Sequence, residues 1–207
     1  MPLDLWVAFV AASTALLLIP GPTVLLVLSY ALTQGKRVAV AMAIGVALGD
    51  LIAMTASLLG LGAVVLASAQ LFTVLKWVGA AYLVYLGLKL LRARPVAGLA
   101  AELAEGLPAR GVMMHAATVT ALNPKSIAFF IAFVPQFLRP DAALAPQFAI
   151  LIATFVGLAG INALAYALMA DRLRARIRKP GVLLWLNRAG GSALVAMGLV
   201  TAALRRA

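Results

Sequence analysis

Six apolar runs, at about 4–33, 38–67, 71–91, 112–136, 145–170 and 182–204, dominate this chain. Most are long enough to cross a bilayer as helices. A helix satisfies its own backbone hydrogen bonds, which is the condition for passing through hydrocarbon. Composition agrees, because 65% of the 207 residues are hydrophobic and only 11% are charged, far from the balance of a soluble domain. The expected fold class is an all-α integral membrane protein with six transmembrane helices, residues 1–207 forming a single transporter domain.

The first run is too long for a straight span. Roughly thirty residues at ~1.5 Å each reach ~45 Å, against a hydrocarbon core of ~30 Å. A break is supplied within LLLIPGPTVLLV (16–27). Pro20 and Pro22 have no backbone N–H and their rings crowd the preceding turn, while Gly21 adds freedom. Non-helical backbone at membrane depth is tolerated only where protein or a water-filled cavity covers it.

The net charge of +11 suggests nucleic acid in a soluble protein, but here Lys and Arg fall mostly between apolar runs, where they orient helices. No nucleic-acid partner is expected. Lys36 and Arg37, the 92–111 loop with Lys89, Arg92, Arg94 and Arg110 around it, and DRLRARIRKP (171–180) mark cytoplasmic connections. ASAQ (67–70) carries no base and LRPDAALA sets Arg139 against Asp141, so both face outward. Alternation then puts both termini outside, with Arg205 and Arg206 dissenting. The start MPLDLWVAF carries Asp4 and no base, unlike a signal peptide, and reads as mature helix.

The two halves echo one another. LKWVGAAYLVYLG (75–87) aligns without a gap on LNRAGGSALVAMG (186–198), matching Leu75, Gly79, Leu83, Val84 and Gly87 to Leu186, Gly190, Leu194, Val195 and Gly198. Gly49 and Gly160 share the same offset, GVALGD (45–50) faces GLAGIN (157–162), and the IPGP break has a counterpart in LNPK (122–125). With three spans per half, the repeats, about 1–91 and 112–204 around a 92–111 loop, are inverted. Matched helix breaks in inverted halves point to a transporter's midplane site. The freed N–H groups suit a carboxylate and the freed C=O groups an ammonium. One deep acid, Asp50, adds a countercharge, and an ionisable group at that depth is read as functional.

In order along the chain, IPGP, GVALGD, KWVGAAYLVYLG and ALNPKSIAFFIAFVPQF resemble the LysE/RhtB family of bacterial amino-acid exporters. The resemblance covers essentially the whole chain. It implies a compact six-helix inner-membrane protein that moves amino acids out of the cell using the proton gradient, with no cofactor. It also implies that Pro20, Gly21, Pro22, Asp50, Asn123, Pro124 and Lys125 occupy the family's signature positions; these are the expected substrate-binding residues, with Asp50 expected to couple to protons. The family's lysine and arginine exporters usually carry an acid shortly after the Asn-Pro of segment four, where this chain has Phe129 and Phe130. That departure points to the RhtB branch and a neutral amino acid, as does charge accounting. With a single deep carboxylate, a second substrate cation lacks a partner.

Plainer roles stand beside these. Asp50 can pair with Lys125 or Lys76 to hold helices together, Lys125 can snorkel, and Asn123 can cap the restarting helix. Gly45 and Gly49 form a GxxxG that reads as a close contact within the subunit. Tyr82, Tyr85 and His115 read as packing or interface residues. The expected partners are the amino acid, protons and lipid, with a homodimer open. The absence of Cys and a lone His exclude a thiolate or clustered metal site. Ser13, Ser29 and Ser57 have no deep base to make a hydrolase, so no enzyme is expected. An exporter of basic amino acids and a passive channel remain the alternatives.

Overall fold

The computed structural model describes residues 1–19, 21–67, 69–93, 107–139, 142–177 and 180–203. Within them run eight α-helices: α1 (Leu3–Leu18), α2 (Pro22–Gln34), α3 (Ala39–Ala67), α4 (Ala69–Arg92), α5 (Ala109–Ala121), α6 (Pro124–Ala132), α7 (Leu144–Ile177) and α8 (Pro180–Ala203). Single 3₁₀ turns occupy Gly35–Val38 and Val134–Phe137. The described residues contain no strand. Among the described residues, three stretches are long and apolar enough to cross a bilayer: Pro22–Val64, Thr73–Arg92 and Leu144–Ala170. Outward faces carry large exposed apolar side chains, among them Ile52, Val78, Ile161 and Leu199, as a lipid-facing surface requires.

Both expected breaks are present, and proline sterics build them alike. The residue before a proline is pushed to extended backbone. Ile19 precedes Pro20 at φ −71°, ψ 120°, and Gly21 precedes Pro22 at φ −146°, ψ −175°. Asn123 precedes Pro124 at φ −69°, ψ 110°. Pro22 and Pro124 then open α2 and α6 at the first helical position, where a missing N–H costs nothing.

Two details go beyond the sequence reading. The fifth apolar run ends at Ala170 as a candidate span, while its helix, α7, continues to Ile177, because Arg, Leu and Ala in DRLRARI sustain a helix. The fourth segment carries a second irregularity, the turn Val134–Phe137, because Pro135 cannot donate to the ladder.

Packing exchanges partners between the halves. α3 lies against α5, α6 and α7, while α7 lies against α1, α2 and α3, so each broken pair is held by the long helix of the other half. α4 and α8 run together. There, a β-carbon on Gly87 would meet the Gly191 carbonyl at 2.7 Å and Val195 at 2.7 Å, and one on Gly198 would meet the Ala80 carbonyl at 2.8 Å and Val84 at 2.7 Å. Gly87 and Gly198, Ala80 and Gly191, and Val84 and Val195 are related by the offset that aligned the sequence halves, so these contacts are reciprocal. On α3, a β-carbon at Gly45 would strike the Met113 carbonyl and one at Gly49 would lie 2.5 Å from the Ala117 carbonyl, making the GxxxG an α3–α5 seam within the subunit. Phe129, Phe130 and Phe155 are fully buried and pack together, with the Phe130 and Phe155 rings edge to face at 4.8 Å.

Candidate functional site

The two breaks meet around one small cavity. α3 contributes Val46 and Asp50, α2 contributes Thr23, Val24 and Val27, the α5–α6 break contributes Asn123, Lys125 and Ser126, and α7 contributes Ala159, Asn162, Ala163 and Tyr166. Its volume is about 20 Å³, room for one water, so its walls must part to admit an amino acid.

Asp50 is 2% exposed, and its Oδ1 has no hydrogen-bond partner among the described residues. The Gly49 contact holds α3 tightly on α5 immediately beside it. Lys125 does not pin this carboxylate. Its Nζ donates to the carbonyl oxygens of Leu16 at 3.0 Å and Ile19 at 2.9 Å, at the open end of α1. Asn162 Nδ2 donates to the Leu17 carbonyl at 3.2 Å and Tyr166 OH to the Leu18 carbonyl at 3.3 Å. The last carbonyls of α1, expected to lie free for a substrate ammonium, are thus capped one by one from α6 and α7.

The opposite side of the first break is less occupied. Gly21 has no side chain with which to cap α2, so the positive end of that helix meets the cavity at Thr23 and Val24. At the second break, Asn123 Oδ1 accepts from the Lys125 amide at 3.1 Å, the capping role read from the sequence. Asn123 Nδ2 donates to Thr23 Oγ1 at 3.2 Å, and Thr23 Oγ1 lies 3.3 Å from Thr120 Oγ1. This chain of polar contacts ties the two breaks together.

Of the residues singled out in the sequence, Asp50, Asn123 and Lys125 line the cavity. A β-carbon on Gly21 would stand 3.4 Å from Lys125 Nζ. Pro22 and Pro124 are exposed and set the helix starts rather than the cavity wall. Pro20 lies outside the described residues. Phe129 and Phe130 are buried in the aromatic cluster, away from the cavity lining. Tyr82 and Tyr85 face outward, and His115 Nδ1 lies 2.8 Å from the buried Tyr30 hydroxyl. The sequence reading missed Thr23, Ser126, Asn162 and Tyr166. Asn162 and Tyr166 carried a signal, two polar groups one helical turn apart in an apolar run.

Residues 14–204 match the family described as LysE type translocator. The chain belongs to this family. It is accordingly a transporter and an integral membrane protein, not an enzyme. It is 34% identical, over the whole of both chains, to a homoserine/homoserine lactone efflux protein of Salmonella typhimurium. A Vibrio cholerae relative described only as an uncharacterized membrane protein is 32% identical over 98% of each chain. A leucine efflux protein of Klebsiella pneumoniae is 28% identical over 66% of this chain and 65% of its own. No solved structure matches the chain.

Proposed function

We propose that this family member exports a small, neutral amino acid across the bacterial inner membrane in exchange for protons. The observation that carries this reading is the buried carboxylate oxygen of Asp50, without a hydrogen-bond partner among the described residues, in the cavity where both broken helices meet. A substrate ammonium pairs with Asp50, and its carboxylate docks at the amide end of α2 beside Lys125. Burial and nearby cations act in opposite directions on a carboxylate's hold on its proton, so substrate and proton compete for Asp50. The relatives' names support the substrate class, since homoserine and leucine both lack a charged side chain.

For the architecture, we read α1–α2, α3 and α4 as one repeat and α5–α6, α7 and α8 as its inverted copy, giving six spans. The reciprocal glycine contacts between α4 and α8 and the exchange of partners between α3 and α7 support it. Rocking one repeat against the other opens the cavity to alternate sides.

The direct test is mass spectrometry of the medium from dipeptide-fed cells with and without the protein. A neutral amino acid accumulating outside is expected. Basic amino acids appearing in its place would overturn the substrate class, and export that persists without a pH gradient would favour a channel.

A further inference from the structure

A helix C-terminus is the negative end of its dipole, and α1 ends on four carbonyl acceptors from Leu16 to Ile19 that each receive a side-chain donor. Asn162 and Tyr166 are neutral and serve one carbonyl each. Lys125 is charged, serves two, and reaches them from the other half of the chain. Its ammonium passes beside Gly21, where a β-carbon would stand 3.4 Å from it, in ordinary contact. The end of α1 is therefore a cation cradle filled from within by a tethered ammonium.

The cavity lining includes one acid, Asp50, and this one basic side chain. Their formal charges cancel, and a zwitterion leaves that balance unchanged. A diamino acid brings a second ammonium into a place where the carbonyls already hold one, with no further acid in the lining to receive it. Resting on the reading of Asp50 as the substrate's ammonium partner, we infer that Lys125 is a specificity-determining residue: its ammonium occupies the position a second substrate cation would need, excluding diamino acids. Removing that charge keeps Asp50 in the lining and frees the Leu16 and Ile19 carbonyls for a second substrate ammonium.

Homoserine, norvaline and 2,4-diaminobutyrate have side chains of equal length ending in a hydroxyl, a methyl and an ammonium, so they isolate charge from size. Uptake of each into proteoliposomes of the full chain, under an imposed pH difference, gives a selectivity ratio. The wild type should move homoserine or norvaline at least tenfold faster than 2,4-diaminobutyrate. Lys125→Met should shift the ratio at least tenfold toward the diamino acid, and Lys125→Arg should keep the wild-type ratio. Should the methionine variant not fold, Lys125→Gln, which retains a donor without the charge, carries the same expectation. A wild type that accepts the diamino acid readily, or folded uncharged variants that still reject it, would overturn the inference. Loss of folding in both uncharged variants would assign Lys125 to structure and also overturn it. A wild type that moves no neutral amino acid at all would instead defeat the proposed function itself.

Discussion

Gly49 sits one residue before the proposed coupling carboxylate, and its lack of a side chain sets how closely α3 approaches α5. A β-carbon there would lie 2.5 Å from the Ala117 carbonyl oxygen, 2.7 Å from Thr120 Cβ and 3.0 Å from the Ala121 amide nitrogen. Non-bonded carbon contacts settle near ~3.5–4.0 Å. Gly49→Ala must therefore push the two helices apart by about 1 Å, because backbone atoms cannot swing aside. Overpacking of this kind costs about 1–3 kcal/mol. For a chain of this length each kcal/mol moves a melting midpoint by about 2–4 °C, so a fall of about 2–12 °C is expected. Gly60, on the same helix, is the control. Nothing lies within 4 Å of its β-carbon position, and Gly→Ala in an open helical site gains about 0.5–1 kcal/mol. The assay is thermal unfolding of both variants in one detergent, followed by tryptophan fluorescence. Equal midpoints for Gly49→Ala and Gly60→Ala would refute the close α3–α5 seam.

Asn123→Ala should lose about 1 kcal/mol for the missing cap and about 0.6 kcal/mol for the severed link to Thr23, whereas Asn123→Asp should keep the cap. The same melting measurement checks both, and an unchanged midpoint for the alanine variant would remove Asn123 from the joint between the breaks. Reporter fusions after Arg37, within 96–108 and after Arg178 should report cytoplasm, and fusions near Gln70 and Ala142 the outside. Two halves found in the same orientation would end the inverted-repeat reading.

The helix breaks and the reciprocal glycines were legible because they follow from local rules. Proline dictates extended backbone at Ile19, Gly21 and Asn123, and a glycine amid bulky apolar residues marks a close approach. Asp50 was legible as an acid in an apolar run. The destination of Lys125 was not, because it depends on where α6 passes the end of α1, a contact between residues more than a hundred positions apart. The partners of Asn162 and Tyr166 were hidden for the same reason, since they are backbone carbonyls that any residue type supplies. The basic run after residue 170 follows the candidate span that ends at Ala170. Its charges describe which side of a membrane it prefers, and its helix propensity carries α7 on to Ile177.

The central claim is that Asp50 carries the proton exchanged for substrate. Asp50→Asn preserves size and hydrogen-bonding capacity while removing the charge and the titration. In proteoliposomes with an imposed pH difference, the wild type should accumulate the neutral amino acid against its gradient, and Asp50→Asn, inserted and folded, should not. Accumulation by Asp50→Asn at the wild-type rate would contradict the account, because Asp50 would then be structural and the coupling group would lie elsewhere.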